Sequence, residues 1–337
     1  MKKCKSKLLM SLCCASMLFA GMAGYATAEP FYKNKTIRIV VGFSAGGGYD
    51  FYARLVGRHM EKYIEGKPTI IIQNMPGAGS LIAANYVYNS SAPDGTWVGF
   101  IDGGNAIPQL VGAPGVQYDL GKFEYIGCFS DSEVAVISTR FDFDDVEKAF
   151  NAEPPLRFGH FGGGSFHTTY MSILMTAMGS NAKLIGGYGG ASEVVPAIER
   201  GEMDATALAW STAQPHVERG VLKVIVKSGA DKEELKGVPF AQDVTPTERG
   251  KETMEVLNGV LEVRRVFVLP PGVPEEAVTI LRDAFDKVMQ DEEFLSQAQR
   301  AKKPTDNLGG ADSHKKMMKM LDQPEEVVKN FKAVLDY

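Results

Sequence analysis

The chain has 337 residues, 45% of them hydrophobic, with 36 basic and 41 acidic side chains and a formal net charge of −5. Its first 28 residues hold four lysines and no acid, so the 309 that follow set 32 basic groups against 41 acidic ones, a charge of about −9. That balance excludes nucleic acid and anionic lipid as partners, and the length suits two domains with sizeable cores.

Lys2, Lys3, Lys5 and Lys7 precede an apolar stretch over 8–23, and Ala26-Thr27-Ala28 follows. This pattern predicts a secretory signal peptide over 1–28, cleaved after Ala28. Ser11, Ser16 and Gly21 interrupt the short apolar run, which argues against a membrane anchor. Cys13 and Cys14 lack the small residues that precede a lipidated cysteine. Once Cys4, Cys13 and Cys14 leave with the leader, Cys128 stands alone and no intrachain disulfide can form. His160 and His167 lack metal-ligand spacing, so no metal or other cofactor is expected. No later run is long and apolar enough to insert in a bilayer.

Strand and helix patterns then alternate. The run TIRIVVGF (36–43) reads as a buried strand, and Phe51, Leu55, Val56, Met60 and Tyr63 share one helix face. A strand over 69–74, a helix over 80–88, a turn at 93–95 and a strand over 96–101 complete a β-α-β-α-β series with a mainly parallel sheet. After a strand over 133–139 the pattern repeats: strand 156–161, helix 168–178, strand 182–187, helix 192–199, and strands 204–210 and 222–228. The stretch 264–270 reads as a return strand, and 274–289, 292–300 and 323–335 as amphipathic helices. KKMMKM (315–320) fits a helix covering the core. Hinges near 131 and 247 divide the chain into one lobe over 29–130 plus 248–337 and another over 131–247.

In parallel α/β sheets, ligands gather where strands end and helices begin. Glycine-bearing loops at 44–48, 102–105, 162–165 and 189–190 stand at such places, two per lobe. Exposed amides there, backed by helix dipoles, make an anion site. The first loop lacks the Lys-Ser/Thr of a P-loop and the G-x-G-x-x-G of a dinucleotide site. Its glycines also fit a plain tight turn, and Asp50 fits a helix N-cap. Ser165 with His167 admits a hydrolase reading, although no G-x-S-x-G elbow surrounds the serine. His59, His216 and His314 are expected to be solvated. Trp97 and Trp210 read as core or cleft lining, Trp210 being the better placed for the cleft.

The segment IVVGFSAGGGYDFYARLV resembles the first strand, loop and helix of the tripartite tricarboxylate transporter substrate-binding proteins, the TctC or Bug family, through Phe43, Gly46, Gly47, Asp50, Ala53 and Arg54. NMPGAGS (74–80), APDG (92–95), YGGASEVVPAIERGEMDA (188–205) and VFVLPPGVPEEAVTILRDAF (266–285) are similar to later family segments, in the same order. The resemblance implies a monomeric, non-enzymatic periplasmic solute-binding protein of the two-lobed Venus flytrap kind, type II-like. It would capture a small organic acid and deliver it to the permease subunits of a tripartite tricarboxylate-type transporter. Carried over residue by residue, the ligand-binding set is Phe43, Ser44, Ala45, Gly46, Gly47, Asp50, Gly104 and Asn105 in the first lobe. The second lobe supplies Ser165, Tyr188, Gly189 and Gly190.

Departures from the family pattern carry their own expectations. Gly42, Ser44 and Ala45 stand where prolines are usual, which predicts a more flexible first loop. One residue fewer separates Ser165 from His167, and Asp102 stands where a small residue is usual. An acid there would repel a second carboxylate unless it faced away or met a ligand amine. A receptor that signals to a membrane sensor would share this fold and ligand.

Overall fold

The structure is a computed structural model that describes residues 29–143 and 145–335; the predicted signal peptide, with Cys4, Cys13 and Cys14, lies outside the described residues. Among the described residues, eleven strands form two sheets. The first contains β1 (Thr36–Val41), β2 (Thr69–Asn74), β3 (Trp97–Asp102), β4 (Glu124–Phe129), β10 (Arg265–Leu269) and β11 (Asn307–Gly309). The second contains β5 (Glu133–Ser138), β6 (Arg157–Gly159), β7 (Lys183–Ile185), β8 (Ala205–Ala209) and β9 (Leu222–Ser228).

Both sheets are wound alike. The first runs β2-β1-β3-β10-β4-β11 and the second β7-β6-β8-β5-β9, so β1, β2 and β3 occupy the places of β6, β7 and β8. Within each triplet the pairing is parallel. The strand that arrives from the other sheet, β10 in one and β5 in the other, lies antiparallel between its neighbours. Each sheet is therefore mixed, with parallel order at one side only.

Local chemistry sets these elements. The core-facing positions of β1 are Ile37, Ile39, Val40 and Val41, as expected of a strand covered on both faces. Helix Gly48–Met60 buries Tyr52, Ala53, Leu55, Val56 and Met60 against the first sheet. Side chains close several helix starts: Asp145, Ser165, Thr247 and Asp291 each accept an N–H from the following turn.

The structure departs from the sequence reading in several places. Strand β4 was not anticipated; Gly127 interrupts its pattern and is there because a Cβ would lie 2.3 Å from the Phe285 ring. Helix Glu248–Leu261 is masked by Gly250 and Gly259, and it packs against both Phe166–Ala177 and Gly310–Leu321. His59, expected at the surface, is buried beside Asp291 with its ring edge-on to Phe294. His216 and His314 are half-buried, the latter stacked on Tyr125.

Because the triplet strands are parallel, the loops after β1, β2 and β3 leave one edge of the first sheet, and those after β6, β7 and β8 leave one edge of the second. The two edges face each other. One apolar cluster runs across the junction, joining Val40 and Ile101 of the first sheet to Phe158 and Ala205 of the second.

Candidate functional site

The facing loops meet at two places. At the first, the loop after β1 touches the loop after β7: Ser44 N–H donates to Gly189 O at 3.0 Å, and the Ser44 hydroxyl bonds Glu193. Glu193 also accepts the Gly189 N–H at 2.8 Å, which fixes the partner loop. At the second, the loop after β2 touches the loop after β6, where Gly164 N–H donates to Ala78 O at 3.1 Å.

The second meeting place is a tight seam. Asn105 Nδ2, fully buried, donates to Gly79 O at 3.0 Å and to Gly164 O at 2.7 Å. A Cβ on Gly79 would sit 2.0 Å from Ser165 N, and one on Gly104 would sit 2.6 Å from the Phe166 side chain. These glycines let one backbone press on the other. Ala78 and Ser80 hold left-handed φ values of 47° and 76°, a conformation that costs about 1–2 kcal/mol per non-glycine residue. Asp102, at the end of β3, accepts N–H groups from Gly104 at 2.7 Å and from Phe166 at 3.2 Å, so an acid of one sheet helps start a helix of the other.

The first meeting place encloses a cavity. It measures about 20 Å³ and is lined by both sheets, through Phe43, Gly47, Gly48 and Tyr49 on one side and Phe161, His167, Gly190, Ala191, Leu208, Ala209 and Thr212 on the other, with Arg265 at the crossing. Larger hollows are open grooves: one of about 530 Å³ borders the first loop through Gly46, Gly47, Asp50, Arg54, Arg58 and Arg300, and another of about 600 Å³ is bordered by Phe143, Met178, Lys223 and Pro239. The latter shares no residue with the glycine loops. Three helices begin at the cavity, at Gly48, Ala191 and Trp210, and their N-caps Gly47, Gly190 and Ala209 supply no side-chain cap. The Trp210 and Ser211 amides are taken by Ser132 O and Asp131, which leaves the other two helix starts as the better anion donors.

The first loop is held rather than loose. Asn74 Nδ2 donates to Phe43 O at 3.0 Å, and Asp50 accepts the Gly46 N–H at 3.0 Å and Arg54 Nε at 2.9 Å. Burial alone would raise the Asp50 carboxyl, but the bonds from Arg54 and Gly46 outweigh it and hold it low. Asp50 thus reaches back from inside the helix to shape the loop instead of acting as its N-cap.

Behind the cavity lies a charged network that the sequence reading missed. Arg264 and Arg265 are each 1% exposed. Arg264 bonds Asp102 and Tyr49 Oη, and its Nη2 donates to His167 Nε2 at 3.0 Å. That contact leaves the proton of His167 on Nδ1, which faces Glu133 Oε1. Arg265 Nη1 pairs with Asp131 at 2.8 Å and Nη2 reaches Ser211 Oγ at 3.3 Å. Burial pushes Glu133 up to about 8 against the pull of Arg264. Burial, then repulsion from Arg264, holds His167 well below its usual value. Asp102 faces neither a ligand amine nor solvent, because Arg264 neutralises it. The signal was present: two adjacent arginines opening an otherwise apolar strand are out of place unless paired.

Of the ligand-binding set expected from sequence, Phe43, Gly47 and Gly190 line the cavity. Ser44, Ala45, Gly46, Tyr188 and Gly189 lie around the same loop contact, with Ala45 and Gly46 exposed and Asp50 behind them. Gly104, Asn105 and Ser165 belong to the seam. Ser165 Oγ accepts from Thr168 N at 3.2 Å and lies 2.9 Å from Thr168 Oγ1, while both nitrogens of His167 are taken by Glu133 and Arg264. Serine and histidine therefore do not form a nucleophile–base pair. Trp210 is buried, and its neighbours Leu208, Ala209 and Thr212 line the cavity in its place.

Similarities to known proteins fit this architecture. The profile of the tripartite tricarboxylate transporter family receptor matches residues 52–316. A Cupriavidus necator protein described as a UPF0065 protein in the gbd 5' region is 27% identical over 285 residues, 82% of this chain and 80% of that protein. The periplasmic binding protein BugD superposes with a TM-score of 0.74 at 18% identity, over 90% of this chain and 98% of its own. MatC from Rhodopseudomonas palustris with bound malate gives 0.73 at 20% identity, over 87% and 99%. An R. palustris protein with adipate gives 0.70 at 19%, over 88% and 97%. The fold is that of the periplasmic binding proteins.

Proposed function

The chain belongs to the tripartite tricarboxylate transporter family of receptors, which are periplasmic solute-binding proteins, and on that premise we propose that it captures a small organic acid between two lobes. The lobes are those read from the sequence, 29–130 with 248–337 and 131–247, and the compartment is the periplasm after cleavage at Ala28. The permease subunits of a tripartite tricarboxylate-type transporter receive the ligand. One observation carries the reading: glycine-started helices from both sheets and a buried arginine meet at one cavity. Main-chain amides there attract a carboxylate, and exclusion of water strengthens each bond they make. Malate and adipate in the related structures support an acid as guest.

Binding follows from hinge motion. Parting the sheets opens the contact between Ser44 and Gly189 and admits the ligand; closing returns the second loop onto it. Among the described residues no helix is long and apolar enough to cross a membrane, so the permease is a separate chain in this reading. A thermal-shift screen of organic acids tests it. A ligand that binds only the folded protein, at 100 times its dissociation constant, adds about 2.7 kcal/mol. The melting temperature should rise with at least one acid. A rise with a neutral sugar or a nucleotide and with no acid overturns the proposal.

A further inference from the structure

The cavity walls differ in chemistry around their circumference. Phe43 stacks on Tyr49 with ring centroids 4.3 Å apart, and Phe161 stands edge-on to Phe43 at 6.3 Å. Phe43 follows β1 and Phe161 follows β6, so these two rings belong to opposite sheets and separate when the sheets part. The two rings touch around a cavity of about 20 Å³, so a flat body enters between them only once the sheets have parted. Leu208 adds an apolar surface beside them.

Arg265 also lines the cavity, its guanidinium 5.3 Å from the centre of the Tyr49 ring and 5.0 Å from that of Tyr52. Two of its nitrogens are engaged by Asp131 and Ser211, but its buried Nε–H has no partner. A Cβ built on Gly48 would lie 3.6 Å from Arg265 Nη2, so the guanidinium rests against the start of helix Gly48–Met60. A buried donor left unmet is costly, and a carboxylate oxygen satisfies it with a charge-assisted bond.

The surrounding charges limit what else can enter. Two arginines, 264 and 265, face three buried acids, Asp102, Asp131 and Glu133. Arg264 bonds Asp102, Tyr49 and His167 and also has an Nε–H without a partner, but unlike Arg265 it does not line the cavity. A second carboxylate on the ligand would find no second cation among the described residues that line the cavity, and the cost of stripping its water there would go uncompensated. A ligand ammonium fares no better. Asp102 and Asp131 are ion-paired, Glu133 bonds His167 through Oε1, and none of the three lines the cavity, while Glu193 at the rim holds Ser44 and Gly189.

Resting on the solute-receptor reading above, we infer that Arg265 selects a ligand bearing one carboxylate on a flat apolar body, the carboxylate at Arg265 and the helix amides, the body between Phe43 and Phe161. This differs from the two dicarboxylates seen in the related structures.

The test is calorimetry on the full chain, exported with its own leader and purified, against benzoate, benzamide, malate and phenylalanine. Benzoate should bind at least 10-fold more tightly than malate or phenylalanine, and benzamide should not bind measurably. Arg265→Gln leaves Asp131 unpaired and risks misfolding, so the paired variant Arg265→Gln with Asp131→Asn, which keeps the charge balance, is measured too. In whichever variant melts cooperatively, benzoate should weaken at least 30-fold. Undiminished benzoate affinity in that variant overturns the inference, as does tighter binding of malate than of benzoate by the parent chain; either leaves the receptor reading standing. Failure of the parent chain to bind any acid in the wider screen removes the receptor reading and the inference together.

Discussion

The two places where the sheets touch are equivalent by topology and opposite in use. In each, the loop after the first strand of one triplet meets the loop after the second strand of the other: β1 with β7 around Ser44 and Gly189, β6 with β2 around Gly164 and Ala78. Around Ala78 the glycines bring backbone onto backbone, and Asn105 closes the gap with two buried bonds. Around Ser44 the glycines leave a cavity and bare helix starts. The same sequence device therefore serves two ends, and what distinguishes them is the neighbour. A buried amide from the turn after β3 and left-handed residues at 78 and 80 fill one junction, while aromatic rings and an arginine line the other.

The comparison can be broken most severely at Arg264, which ties the seam to the cavity. Arg264→Leu strands Asp102 in the interior, and losing one partner of a buried ion pair costs about 3–5 kcal/mol. Urea unfolding should show that loss; a loss below about 1 kcal/mol would mean that Asp102 is held by its amides alone. Gly79→Ala and Gly47→Ala contrast the two junctions directly. The first drives a methyl into Ser165 N and should cost about 1–3 kcal/mol or more, whereas the second meets only Ser44 O at 3.6 Å. Equal melting temperatures for the pair would erase the distinction drawn between the junctions.

Asn105→Ala should follow, at about 1–3 kcal/mol, because it leaves two buried carbonyls without their donor. The smallest effect is one of pH. Glu133 has its folded value raised to about 8 from 4.5, so it binds a proton in the folded chain that it lacks when unfolded. Its contribution is whole below about pH 4.5 and is lost as pH rises through 8. His167 acts in the other direction, contributing above about 6.5 and losing that contribution as pH falls toward its depressed folded value. Glu133→Gln should therefore gain on the parent chain in melting temperature as pH rises from 5 to 8. Parallel melting curves across that range would count against a raised Glu133.

Much of the fold was legible because period and punctuation agree in the triplets. TIRIVV and TIIIQN are apolar runs closed by glycine loops, and the helices after them keep one buried face. β4 escaped because Gly127 sits inside it to admit Phe285, a reason that lies 158 residues away in the chain and leaves no local mark. The glycine loops were legible as places where backbone comes close to something. Which of them approach a ligand cavity and which approach the facing sheet was not, since Gly47 and Gly79 read alike until the partner backbone is in place. The arginine pair was visible but read as the start of a strand, because burial of both guanidinium groups depends on Asp102 and Asp131, far apart in sequence and adjacent only after folding.

The most direct measurement is backbone amide NMR during titration with the acid that raises the melting temperature most. If the cavity takes the carboxylate, the resonances of Gly47, Gly48, Gly190 and Ala191 should move first and furthest, with Gly79, Gly104 and Gly164 nearly still. Movement centred on the latter three, with the former unmoved, would contradict the account.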